Sequence, residues 1–108
     1  MNKKEQQLYN LKAEILKAIA HPIRLAIIDF LTDGEKTVNE ITKWVNSSQS
    51  NVSKHLSVLK KIGIIGDRKE GLNKFYYLKI LCVTNFSLCV NQTLKKKVEH
   101  EKKLYYRG

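Results

Sequence analysis

Between Gln49 and Ser57 lies a run of side chains that can exchange hydrogen bonds with a polar partner: Gln49, Ser50, Asn51, Ser53, Lys54 and Ser57. Val52, Leu56 and Leu59 fall between them at spacings of four and three. If those three turn inward on a helix, the polar six are left facing out. The chemistry of that outward face matches a base-pair edge. Gln and Asn amides can pair bidentately with adenine, Ser hydroxyls can bond bases or phosphates, and Lys supplies phosphate or guanine contacts. Asp and Glu are absent from Ile41 to Gly66, so nothing on this stretch repels phosphate. A helix that needs only solubility more often carries Glu and Lys pairs. Taken alone, the row also fits an ordinary solvated surface. Its neighbours favour the first reading, because Arg68, Lys69 and Lys74 follow around Glu70-Gly71-Leu72-Asn73. Arg68 and Lys74 are the candidates there for backbone contacts, although Asp67 and Glu70 weaken the positive patch.

The other reactive pair is Cys82 and Cys89, seven residues apart and the only cysteines in the chain. On a helix they lie about 20° apart around the axis and about 10 Å apart along it, on the face that also carries Phe86. That separation exceeds the roughly 7 Å limit for a disulfide within one helix. Free cysteine also packs as a small hydrophobe, so the pair reads either as packing or as a thiol site. No nucleophile, carboxylate pair or glycine-rich phosphate loop sits among plausible partners, and a non-enzymatic protein is expected.

Composition narrows the partner. Twenty Lys and Arg against ten Asp and Glu give a formal charge of +10 over 108 residues, which calls for a polyanion. The apolar runs Leu25 to Ile28 and Ile62 to Ile65 are far shorter than the roughly 20 residues of a membrane span. The N-terminal Lys3-Lys4-Glu5 stretch lacks an apolar signal core. No membrane partner and a cytoplasmic location are therefore expected, where the cysteines remain thiols.

These residues need elements to hold them. Leu8, Leu11, Ile15, Leu16 and Ile19 mark an amphipathic first helix from Lys3 to Ile19, interrupted at His21-Pro22. A second helix starts at Pro22, and its apolar residues Ile23, Leu25, Ile27, Ile28, Phe30 and Leu31 cover most of its circumference. It ends at Asp33-Gly34. A third helix spans about Thr37 to Val45, with Thr37 and Glu40 at capping-box spacing. Asn46-Ser47-Ser48 forms the break, Ser48 caps a fourth helix, and Gly63 ends it. The period then changes to that of a β-hairpin, with Lys74-Phe75-Tyr76-Tyr77-Leu78 as its second strand. From about Leu81 the helical period returns, before a polar tail with Lys95, Lys96, Lys97, Lys102, Lys103 and Arg107. The expected fold is mainly α, with five helices and one hairpin before the last. Two short helices, a three-residue turn and a basic hairpin make a winged helix-turn-helix.

The sequence resembles the ArsR/SmtB-type repressors of bacteria and archaea. The resemblance is carried by Ala20-His21-Pro22-Ile23-Arg24-Leu25, by the stretch from Ser48-Gln49-Ser50-Asn51-Val52-Ser53-Lys54-His55-Leu56 through Ile65, and by Phe75-Tyr76-Tyr77-Leu78. It covers about residues 8 to 98. The length leaves room for one domain, residues 1–108, with the helix-turn-helix over 37–61 and the wing over 64–80; the resemblance implies that the helix over 1–20 and the last helix with its basic tail over 81–106 form the dimer interface. It further implies a homodimer on double-stranded DNA with a palindromic operator, and effector-driven release. By the same resemblance Gln49, Ser50, Ser53 and His55 contact DNA. His55 also neighbours Leu56, so resting against the inner stripe stands as its alternative.

Effectors in this family include metals, arsenite and reactive sulfur species. The family's arsenic site is missing, because Thr37 to Trp44 contains no Cys. Its zinc site across the last helices would fall on Ile80, Cys82, Thr93 and Lys96, of which only Cys82 could ligate and Lys96 opposes a cation. If the last helices pack antiparallel across the dimer axis, Cys82 of one chain can face Cys89 of the other. Such a cluster suits a soft metal, arsenite, or a sulfur or redox effector. His100 lies in the charged tail and is expected to be solvated. A winged-helix protein-interaction module, or a repressor without a small-molecule effector, remains the competing reading. Peripheral membrane binding through the lysine-rich tail is weaker, since the tail lacks a sustained apolar face.

Overall fold

The computed structural model describes residues 1–80 and 83–106, apart from the side chains of residues 84, 86, 87 and 102–106. In chain order the elements are α1 (Lys3–Ile19), α2 (Pro22–Leu31), β1 (Lys36–Thr37), α3 (Val38–Val45), α4 (Gln49–Lys61), β2 (Ile65–Glu70), β3 (Asn73–Leu78) and α5 (Val83–Tyr106). This is the mainly helical winged helix-turn-helix that the sequence predicts.

Local chemistry sets the helix boundaries. The Asn2 side chain accepts from the Glu5 amide at 2.8 Å and starts α1. Pro22 opens α2, and His21 caps it by accepting the Ile23 amide on Nδ1 at 3.1 Å. Thr37 and Glu40 form the reciprocal capping box at the head of α3. Asn46 ends α3 in the left-handed region at φ 53°, a conformation Asn tolerates better than most residues. Ser48 Oγ then accepts the Asn51 amide at 3.1 Å and starts α4. Gly63, at φ 85°, turns the chain out of α4 toward the wing.

The core lies where α2, α3, α4 and the base of the wing meet. Ile27, Ile28, Leu31, Ile41, Val52, Leu56, Leu59 and Ile65 are at most 3% exposed. The inner stripe of α4 is thus the one read from spacing. Leu25 lies to one side of this core and is 39% exposed. There it borders an entirely apolar pocket of about 280 Å³ with Leu16, Ile19, Ala20 and Val90.

The hairpin pairs β2 with β3 in antiparallel register from Ile65↔Leu78 to Glu70↔Asn73. Gly66 faces Tyr77, whose ring would lie 2.7 Å from any added Cβ, so only glycine admits the ring. The sequence reading lacked β1. Lys36 and Thr37 pair with Tyr76 and Phe75 to give a sheet of order β1-β3-β2. A two-residue strand has too few positions to show alternation. The C-terminal stretch expected as a polar tail is instead helical through Tyr106.

The chain has a Cα radius of gyration of 17.2 Å, against about 13 Å for a compact chain of this size. The long helices account for the excess. Leu8, Leu11, Ile15 and Leu16 of α1 and Leu88, Val90, Leu94 and Val98 of α5 are each at least 40% exposed. Among the described residues, no helix is long and apolar enough to cross a membrane.

Candidate nucleic-acid interface

With Val52, Leu56 and Leu59 buried, α4 presents Gln49, Ser50, Ser53, Lys54 and Ser57 to solvent. Ser50, Ser53, Lys54 and Ser57 follow one another by three, one and three, so they form a single stripe. Lys61, four residues beyond Ser57 and also exposed, extends the stripe by another turn. Sequence reasoning missed Lys61, although that spacing was the available signal. The stripe carries a cation at each end of its C-terminal half and no carboxylate.

Two residues assigned to this face lie elsewhere. Asn51 is half-buried, and its Nδ2 donates to Ser47 Oγ at 2.9 Å, tying the amide to the turn between α3 and α4. His55, expected among the DNA contacts, does not join the exposed row. Its side chain is 9% exposed, on the inner side of α4. There its Nδ1 accepts from Arg24 Nε at 3.1 Å, and its ring centroid lies 4.4 Å from that of His21. The alternative of an inward-packed histidine is the one observed. Burial depresses the His55 pKa below the ordinary histidine value, helped by the nearby His21 and then Arg24.

Both wing cations named from the sequence are already engaged by carboxylates. Arg68 Nε donates to Glu35 Oε1 and Oε2 at 3.1 and 2.9 Å, and Arg68 Nη2 reaches Oε2 at 2.6 Å. Its Nη1 meets Glu70 at 2.8 Å, while the guanidinium lies over the Phe75 ring. The hydrogen bond from Arg68 holds the Glu35 carboxyl below its usual range. Asp67 binds Lys60 at 2.9 Å and Lys74 at 3.4 Å. Its carboxyl is lowered in turn, chiefly by the Lys60 hydrogen bond. A phosphate must therefore compete with Glu35, Glu70 and Asp67 for these side chains. Glu35 was not foreseen, because its loop position is 33 residues from Arg68 and no local pattern links them.

Cys89 is exposed on α5, whereas Cys82 lies outside the described residues, so their expected proximity does too. Thr93, Lys96 and His100 are exposed on the same helix. Among the described residues there is no group of three or more His, Cys, Asp or Glu placed to hold a metal ion.

Known proteins share this arrangement. Residues 21–66, from the head of α2 into β2, match the model of the arsR family of bacterial regulatory proteins. A helix-turn-helix transcriptional regulator of Mycobacterium tuberculosis is 36% identical over 72 residues, 66% of this chain and 63% of the relative. The match thus spans less than two thirds of that relative's length. One from Methanocaldococcus jannaschii is 42% identical over 71 residues, covering 65% of this chain and 80% of the relative. The solution structure of a homodimeric winged helix-turn-helix DNA-binding domain from Mycobacterium bovis superposes with a TM-score of 0.77 at 27% identity. That superposition covers 93% of both chains. With its helix-turn-helix matched by the family model and an archaeal relative matched over most of its length, the chain belongs to the arsR family of bacterial regulatory proteins, which are winged helix-turn-helix transcriptional regulators.

Proposed function

We propose that this protein is a homodimeric repressor that reads double-stranded DNA by laying α4 in the major groove. The observation that carries this is the exposed, carboxylate-free row of Gln49, Ser50, Ser53, Lys54 and Ser57 on a helix whose other side is locked into the core. Gln49, at the N-terminus of α4, occupies the part of a recognition helix that meets base edges. Lys54 and Lys61 supply phosphate contacts along the same stripe, with the wing beside it.

Dimerisation is supported by the uncovered apolar residues of α1 and α5, and by the homodimeric state of the Mycobacterium bovis domain. A two-fold dimer places two copies of α4 on a palindromic operator, with half-sites about 34–36 Å apart. Bound there, the dimer occludes the promoter. Release by a thiol-reactive or soft-metal effector at Cys82 and Cys89 belongs to the same proposal, supported by the exposure of Cys89. Its test is the Cys82→Ser, Cys89→Ser double variant. It is expected to bind DNA like wild type, yet stay bound when arsenite, Cu(I), persulfide or peroxide is added.

Hydroxyl-radical footprinting on the DNA upstream of the protein's own coding region tests the reading as a whole. Two protected patches about one helical turn apart, symmetric about their centre, are expected. A single patch, or no protection, contradicts the two-fold arrangement.

A further inference from the structure

His55 is buried on the very helix that presents its other side to DNA, and its partners are Arg24 of α2 and His21, the residue that caps α2. Arg24 of α2 donates from Nε to His55 Nδ1 at 3.1 Å and from Nη1 to the Ala18 carbonyl of α1 at 2.9 Å. One guanidinium therefore spans the last turn of α1 and the inner side of α4. His21 sits at the junction as well, with its ring 4.4 Å from that of His55 and its Nδ1 capping α2. The sequence reading used neither Arg24 nor His21 for function, and neither is part of the exposed row.

We propose that Arg24 and His55 are positioning residues for the recognition helix, joined in a latch that holds only while His55 Nδ1 is unprotonated. The proposal rests on α4 being the DNA-reading helix. An arginine cannot accept a hydrogen bond and does not lose its proton, so the bond requires the imidazole nitrogen to be the acceptor. Adding a proton at Nδ1 removes the acceptor. It also sets an imidazolium against a guanidinium at hydrogen-bond distance in a partly buried site, where their repulsion is screened less than in open water.

Among the described residues, no opposite charge acts on His55 to relieve that contact. The groups whose charge bears on His55 are His21 and Arg24, both on the α2 side, and α1 contributes only the Ala18 carbonyl through Arg24. The depressed His55 pKa fixes the direction. The latch contributes fully above the ordinary histidine range and is lost as pH falls through the folded-state value. Acidification thus removes the tie through Arg24 between α4 and the junction of α1 and α2, loosens the setting of the recognition helix and weakens DNA binding. A histidine cation on phosphate would do the reverse, strengthening binding in acid.

The test is fluorescence anisotropy of a labelled duplex spanning the DNA upstream of the protein's own coding region, at pH 7.5 and 5.5, with wild type and His55→Gln. The Gln carbonyl can accept from Arg24 but does not titrate. Wild type is expected to lose affinity severalfold between pH 7.5 and 5.5, as the proton that breaks the latch is taken up. His55→Gln is expected to bind like wild type at pH 7.5 and to change less than about twofold. Wild-type affinity that is flat or rises in acid, or a variant that falls as far as wild type, overturns the latch. Failure of wild type to bind duplex DNA even at pH 7.5 overturns instead the reading of α4, and the latch with it. Should His55→Gln fold poorly, wild type decides alone through the His55 Cε1–H resonance. Reciprocity requires bound duplex to lower its titration midpoint, and a midpoint unmoved or raised overturns the proposal.

Discussion

Gln49 and Asn51 carry similar amides two residues apart, yet the fold gives them different tasks. Gln49 is exposed at the start of α4, whereas Asn51 spends its amide on Ser47. Gln49→Ala should therefore reduce discrimination between operator and random duplex by about 1 to 3 kcal/mol, the range for a bidentate base contact. Asn51→Ala should lower thermal stability, by about 0.5 to 1.5 kcal/mol for one lost hydrogen bond, and leave the discrimination nearly unchanged. Competition anisotropy and thermal melts of the two variants separate these outcomes. Spacing alone could not tell the two amides apart, because the partner of Asn51 lies in the turn, where no periodicity operates. The same holds for His55. Its position beside Leu56 puts it at the edge of the inner stripe, and the tie to Arg24, 31 residues earlier, decides which way it points.

The wing shows how one element is restrained by another. Arg68 is held by Glu35 in the loop before β1, and Asp67 ties Lys60 of α4 to Lys74 of β3. Exposed pairs of this kind add little stability, so their main effect is on how readily the cations meet phosphate. Glu35→Gln is expected to raise affinity for all duplex sequences alike and to steepen the salt dependence. Unchanged affinity would mean that Arg68 does not face DNA. The helices, the α3–α4 turn and the hairpin were readable because caps, glycines and apolar spacing act within a few residues. β1 and the Glu35 tether were not, since both depend on chain segments that meet only in the folded protein. Leu56→Ala, in the stripe that was readable, should cost about 2 to 5 kcal/mol on denaturant unfolding.

For the molecule as a whole, the long helices α1 and α5 keep apolar residues exposed that a second chain can cover. Leu11→Lys places a charge among them and should yield a monomer in sedimentation velocity, with helical content largely preserved. A dimer that persists would place the interface elsewhere. The exposed side of Leu25 and the apolar pocket beside it belong with this surface, which explains why α2 is apolar over more of its circumference than the core requires.

Reading of DNA by α4 is tested most directly by anisotropy of the upstream duplex over about 50 to 200 mM salt, with wild type and Ser53→Glu. A dimer making several lysine contacts to phosphate should lose about a thousandfold in affinity over that range. Ser53→Glu sets a carboxylate in the middle of the exposed row and should abolish specific binding at every salt concentration. Affinity indifferent to salt, and equal in the two proteins, would contradict the assignment of α4 as the helix that reads DNA.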